Sequence, residues 1–256
     1  MIDSHCHLTD PRLGQQLDTV LERAATVGVK RMITIGTDID DALKCIELCR
    51  ALDNVRCSIG IHPNYCHEVS EEDLPRLEHL QADPTVVALG EMGLDYFHHF
   101  APRQRQHEFF QFQLNLAARL KRPIVIHCRE AIDDAIAILR GFPTLEGVFH
   151  CFTGSPDEAR KILDAGYHIG FTGAVTFKKN DDLRKACSLV PLDRLLVETD
   201  APYLSPEPVR AQKTNEPSFV MHVARVVAQV KGISLEELDH HTTANVQRLF
   251  RWPERP

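Results

Sequence analysis

Apolar residues in this chain gather in short runs rich in β-branched and aromatic side chains, separated by longer stretches where they recur every three or four positions. The runs are IDSHCH, RMITIG, VRCSIGIHP, VVALGEMGLD, PIVIHCRE, GVFHCFTG, HIGFTG and LLVETDAPYL, and each predicts a strand. Between them, Leu17, Val20, Leu21 and Ala24 ahead of Gly28 keep helical spacing. So do Ala42, Ile46 and Cys49 after the turn at Thr37-Asp38. Strand and helix alternate, so the sheet is expected to be parallel.

FQFQLNL, from Phe110 to Leu116, alternates as a half-buried strand would, but Phe109, Phe112, Leu116 and Leu120 also form a helical set. Arg103 to Leu120 is long and free of Gly and Pro, and parallel strands need a crossover there, so it is read as a helix. No Gly-, Ser- or Pro-rich linker divides the chain, and APYLSPEPVR at 201–210 reads as a long loop after the last strand. Eight parallel strands with crossovers fit a closed (β/α)₈ TIM barrel, taken as a single domain over residues 1–256.

Composition adds exclusions. With 43% hydrophobic and 25% charged residues the chain is ordinarily globular, and its net charge of −7 gives no global attraction for nucleic acid or an anionic membrane. A polyanionic substrate must therefore be held locally. Neither a signal-like start nor an 18-residue apolar stretch is present, which predicts a cytosolic protein without a membrane association. Eight scattered cysteines without a Cys-x-x-Cys pair read as reduced thiols. Cys6, Cys128 and Cys151 each follow a histidine, and strand alternation is expected to turn them away from whatever that histidine faces.

In a barrel of this kind, active-site groups cluster at the C-terminal ends of the strands. Those ends carry residues a core would not choose: His5 and His7, His62, Glu91, His127, His150 and Asp200. His5 and His7, two apart, leave the same face of a strand in chelating geometry. Imidazoles with carboxylates suit Zn²⁺, Mn²⁺, Fe²⁺ or Mg²⁺, and there are enough for two ions. Glu91, midway around the barrel, is the natural bridge. His5, His7 and Asp200 then form one site, and His127 with His150 the other. Taken singly, each has a plainer role, such as a hydrogen-bonded core histidine or a loop acid. Burying all six together without a cation carries a desolvation cost of several kcal/mol.

At this point the sequence resembles the TatD-type metal-dependent hydrolases and deoxyribonucleases of the amidohydrolase-like barrels. The resemblance runs through DSHCHL (3–8), IGIHP (59–63), GEMGLDY (90–96), PIVIHCRE (123–130), HCFTGS (150–155), ETDAPYL (198–204), NEP (215–217) and TTANVQRLF (242–250). It implies a 3′-5′ exonuclease acting on DNA ends with two divalent cations, Mg²⁺, Mn²⁺ or Zn²⁺. It also implies that His5, His7, Glu91, His127, His150 and Asp200 are the ligands, with Asp200 beside the attacking water. Where the family often shows an Arg-Gly-Lys-Arg-type run, this chain has Arg210-Ala211-Gln212-Lys213-Thr214, which keeps Arg210 and Lys213 as cations.

His62 and Arg129 are candidate phosphate contacts, with a backbone-bonded turn as the alternative for His62 and an ion pair to Glu130 or Asp133 as the alternative for Arg129. Glu198, on the face of Asp200, is expected to orient a ligand, and Asp95 to do likewise or to cap a turn. A helix start near Asn215-Glu216-Pro217 is expected to offer backbone donors to phosphate. Two rival readings stand beside the nuclease. The first is a barrel hydrolase of a small ester, amide or phosphotriester, which often bridges its metals with a carboxylated lysine; no lysine lies between Lys44 and Lys121. The second is a catalytically silent nucleic-acid or metal-binding scaffold.

Overall fold

All eight expected strands form and pair in chain order: β1 (Ile2–Cys6), β2 (Arg31–Gly36), β3 (Val55–Ile59), β4 (Val86–Asp95), β5 (Ile124–Arg129), β6 (Gly147–Phe149), β7 (His168–Phe171) and β8 (Leu195–Val197). The computed structural model describes residues 1–70 and 72–252. Every neighbouring pair is parallel. Closure between β8 and β1 falls beyond the end of β8, where Asp200 N–H donates to His5 O (2.9 Å) and His7 N–H to Ala201 O (2.7 Å). The result is a (β/α)₈ TIM barrel.

Period-two alternation in the strands separates two apolar layers. Met32, Leu89, Ile124, Ile126, Phe149 and Leu195 join the helices in one cluster. Ile33, Ile35, Ala88, Val125, Val148 and Leu196 join a second, which also takes Phe250 and Trp252 from the end of the chain. The second holds one strand face and a C-terminal plug, so it is the barrel interior. Ten helices surround the sheet among the described residues: α1 (Pro11–Gly14), α2 (Leu17–Thr26), α3 (Ile39–Ala51), α4 (Asp73–Leu80), α5 (Arg103–Leu120), α6 (Ile132–Leu139), α7 (Pro156–Asp164), α8 (Asp181–Leu189), α9 (Val220–Lys231) and α10 (Leu235–Leu249). Local sequence sets their starts: Asp38 accepts from Asp41 N–H to cap α3, and Ser155 with Glu158 forms a capping box on α7. No helix among the described residues is long and apolar enough to cross a membrane.

The ambiguous FQFQLNL lies within α5, as its length requires. Its alternation has a cause: Gln113 is fully buried and spends its amide on the backbone of Ile61, just beyond β3.

Candidate metal centre

Glu91 sits in β4, whose ten residues are all buried. Its neighbours Gly90 and Gly93 hold φ of 139° and 142°, where an L side chain is strained. A Cβ on Gly90 would lie 2.3 Å from Val125 O, and one on Gly93 would lie 1.9 Å from His127 O. Only glycine lets β4 run this close to β5, and that approach brings Glu91 to His127.

The Glu91 carboxylate divides its two oxygens. Oε1 lies 2.6 Å from His150 Nε2, 2.9 Å from His127 Nδ1 and 3.3 Å from His62 Nε2. Oε2 faces the other way, 3.4 Å from His5 Nε2. Beyond it, Asp200 Oδ1 stands 3.6 Å from His5 Nε2 and 3.4 Å from His7 Nε2. The two sets adjoin, with His127 Nδ1 3.4 Å from His150 Nε2 and the rings of His5 and His150 stacked 3.9 Å apart. All six sequence-derived ligand candidates are therefore gathered at one barrel mouth.

Asp200 reaches this point because the chain leaves β8 in an unusual conformation. Its φ of 55° lies in the left-handed region, disfavoured for a residue with a side chain, and surrounding bonds fix it. Its own N–H goes to His5 O, and its carbonyl accepts from Tyr203 N–H. Beneath it, buried Asp3 accepts from the N–H and hydroxyl of Thr199 at 2.9 and 2.6 Å.

Carboxylates and imidazoles in the mouth set one another's charge. Burial alone would raise the Glu91 carboxyl, but His150, His62 and His127 hold it well below the usual range. Asp200 is likewise lowered, against burial, by His7 and His5. Burial disfavours positive charge on His7 and His127, yet Asp200 lifts the first to about 9, and Asp95 with Glu91 does the same for the second. His5, which burial drives down to about 4, is neutral, and both its ring nitrogens lack a hydrogen-bond partner. A buried imidazole lone pair without a donor, between two carboxylates, is what a cation satisfies. Three groups of ligand atoms lie close enough to hold an ion: His5, His7 and Asp200; His5, Glu91 and His150; and His62, Glu91 and His127.

The remaining candidates fall into place unevenly. His62 stands nearer the centre than a rim contact, yet its Nδ1 accepts from Asn64 N–H (3.1 Å), so the expected turn bond is also made. Asp95 makes both kinds of contact: Oδ2 binds His127 Nε2 (3.0 Å) and His98 Nδ1 (2.9 Å), and Oδ1 caps the turn at Phe97 and His98. Glu198 Oε1 accepts from Cys151 N–H (2.6 Å) and lies 3.8 Å from His150 Nδ1, while Oε2 accepts from Ser4 Oγ. Burial raises it to about 7. Gly170 makes room for it, since a Cβ there would sit 2.6 Å from Oε2.

Arg129 does not pair with Asp133, which binds Lys161; its guanidinium lies 4.2 Å over the Phe97 ring. Arg210 stacks 3.8 Å over Phe177, and Lys213 is exposed. The expected helix start forms at Pro217, but the N–H groups of residues 215–217 themselves are not offered to a phosphate: Asn215 spends its own on Pro202 O, Glu216 on its neighbour's Oδ1, and Pro217 has none. Asn215 instead ties Thr199 O to Tyr203 O, and Glu216 is held by Arg23. This turn clamps the loop behind Asp200.

The three thiols that follow histidines belong to none of the metal-sized groups among the described residues. Strand alternation accounts for Cys6, whose thiol bonds Ile33 O, and for Cys128 on the helix-facing side of β5. Cys151 turns away for another reason: β6 has ended, and a φ of 45° swings its thiol to Thr172.

Two site residues escaped sequence reasoning. Gln106 binds the N–H and carbonyl of Asp95 at 2.8 and 2.9 Å, as Gln113 does those of Ile61. Seven residues apart on α5, they grip the ends of β4 and of the β3 loop from one helix face. The only signal was polar residues interrupting an apolar helical face.

The chain is similar to known proteins over nearly its whole length. Residues 2–251 match the model of the TatD related DNase family. The chain is 42% identical to the uncharacterized metal-dependent hydrolase YcfH of Escherichia coli (strain K12), over 98% of this chain and 95% of that protein. It is 38% identical to the 3′-5′ ssDNA/RNA exonuclease TatD of Erwinia billingiae, over 99% and 100%. The crystal structure of the TatD homolog YjjV from Escherichia coli superposes with a TM-score of 0.94 at 28% identity, covering 99% of this chain and 98% of that one. With a family match over residues 2–251 and a relative 42% identical along nearly its full length, the chain belongs to the TatD-related DNase family of metal-dependent hydrolases.

Proposed function

We propose that the chain hydrolyses phosphodiester bonds at single-stranded ends of DNA or RNA, in the 3′-5′ direction, using two divalent cations. In this reading His5, His7 and Asp200 hold one ion, His127 and His150 the other, and Glu91 spans them. The observation that carries it is the division of the Glu91 carboxylate, one oxygen toward His5 and the other toward His127 and His150. Relatives named as ssDNA/RNA exonucleases support the substrate class.

Bound divalent ions supply Lewis acidity that renders water acidic and neutralises developing phosphoryl charge. The rest falls to the chain. Asp200, ionised because His7 and His5 hold its pKa down against burial, accepts the proton of the attacking water. His62 is kept neutral by burial, and since its Nδ1 accepts from Asn64, its proton sits on Nε2. That nitrogen is a donor and suits a phosphate oxygen better than a cation. Arg129, Arg210 and Lys213 provide positive charge for phosphates further along the strand.

The test is an assay with Mg²⁺, Mn²⁺ or Zn²⁺ that compares single-stranded DNA, RNA, a small activated phosphodiester and phosphomonoesters. Stepwise release of nucleotides from single strands is expected. Turnover confined to small esters or monoesters overturns the reading.

A further inference from the structure

The loop after β4 carries two phenyl rings that nothing in the centre explains. Phe97 is 47% exposed and Phe100 63%. Exposed aromatic surface of this kind marks contact with a partner or ligand. The loop is fixed: Asp95 Oδ1 takes the N–H groups of Phe97 and His98, and Gln106 Nε2 closes its base by donating to the carbonyls of Asp95 and Ala101. The rings are therefore presented in place.

They belong to a ladder of planar groups. The Arg129 guanidinium lies 4.2 Å over Phe97, Phe97 meets His98 edge-on at 4.9 Å, and His98 stacks on Phe100 at 5.5 Å with 16° between planes. The ladder begins beside the chemistry, because Asp95 Oδ2 bonds both His98 Nδ1 (2.9 Å) and His127 Nε2 (3.0 Å). Planar apolar faces next to a cation, one carboxylate away from a ligand histidine, match an unpaired nucleobase chain in both chemistry and position.

We propose that Phe97, His98 and Phe100 form a stacking platform for unpaired bases of the strand whose end occupies the metal centre, with Arg129 meeting its phosphates. This rests on the nucleic-acid reading above and narrows it: the platform serves single strands, since paired bases present no free face. Duplex ends must fray before they engage it.

A short single strand with phosphorothioate linkages and 2-aminopurine near its 3′ end, titrated with the full chain in Mn²⁺, reads stacking as quenched fluorescence independently of cleavage. Quenching is expected, with binding at least about fivefold weaker in Phe97→Ala/Phe100→Ala and near its original strength in Phe97→Tyr/Phe100→Tyr. Circular dichroism confirms that both variants fold. Absent quenching, or quenching and affinity that survive the double alanine substitution, overturns the platform. A natural strand that is cleaved with no dependence on either phenylalanine overturns the platform and leaves the nuclease reading intact. A strand that is quenched through these residues but never cleaved upholds the platform and overturns the nuclease reading.

Discussion

Gln113 accepts from the N–H of Ile61 at 2.8 Å and donates to its carbonyl at 3.0 Å, and the next residue is His62. A helix on the outside of the barrel thus sets the position of a side chain in its mouth. Gln113→Leu keeps the bulk but leaves two buried backbone groups unpaired, at about 1–3 kcal/mol each. The variant is expected to melt several degrees lower and to lose turnover as His62 drifts. Gln106→Leu is expected to do the same through Asp95 and His127. Thermal unfolding alongside kinetics checks this; full activity in either variant would show that the glutamine supports the fold without positioning the centre.

Removal of Glu91 differs in kind from removal of one histidine. Its two oxygens face different ligand sets, so Glu91→Ala is expected to weaken both ions, whereas His150→Ala weakens chiefly one. Elemental analysis after reconstitution and gentle desalting measures the stoichiometry, and chelation is expected to abolish hydrolysis. Loss of a single ion in both variants would remove the bridging role.

The thiols make the converse prediction. Cys6 is buried and Cys151 half-buried, and desolvation raises both well above the ordinary thiol range, which keeps them protonated. Substituting Cys6, Cys128 or Cys151 with Ser should leave the metal count unchanged and cost stability only, most at fully buried Cys6. Release of an ion by any of the three would place that sulfur at the centre after all.

What the sequence disclosed, and what it hid, divides along contact range. Period-two runs and their intervening helices are local, so eight strands and the barrel were legible, and the barrel then explained why His5, Glu91 and Asp200 should meet. Gln113 was not legible, because its partner Ile61 is 52 residues away and its polarity read only as part of a strand-like alternation. At Asn215 the reason is related: a Pro after an acidic residue signals the helix start that forms at Pro217, but only the fold shows the N–H groups of Asn215 and Glu216 already taken by Pro202 O and Asn215 Oδ1. Arg129 was placed on the right strand, while Phe97, its stacking partner, came from a loop without periodicity.

His168, at the start of β7, is 4% exposed, and burial together with the nearby cations Arg194 and Arg248 pushes its pKa down to about 4. The unfolded chain binds a proton there near pH 6.5, so between pH 6.5 and 4 it binds more protons than the folded one. The stability contributed by the neutral imidazole is complete above pH 6.5 and fades as pH falls toward 4, by up to about 3 kcal/mol. His168→Leu should flatten the pH dependence over this window, so that its stability relative to the parent improves with acid. Denaturant unfolding at pH 7, 5.5 and 4.5 measures it, and parallel curves would show that His168 titrates alike in both states.

The last prediction separates strand handling from chemistry. A chain of net charge −7 repels a polyanion at long range, so long substrates must lean on local cations. Arg210, steadied on Phe177, and exposed Lys213 are such groups, and neither touches the ligand cluster. Arg210→Ala with Lys213→Ala is therefore expected to raise KM for single-stranded DNA several-fold and to flatten its salt dependence by up to about two phosphate contacts. A small activated diester, which reaches only the centre, keeps nearly its original kcat. Asp200→Asn should do the reverse and collapse kcat on both substrates, since it removes the carboxylate that faces His5 and His7 together with the proposed proton acceptor. Steady-state kinetics on both substrates at two salt concentrations distinguishes the roles. Equal loss on the small diester in the double variant would mean that the loop at 210–213 supports the centre itself, through the turn at Asn215 that ties Thr199 to Tyr203.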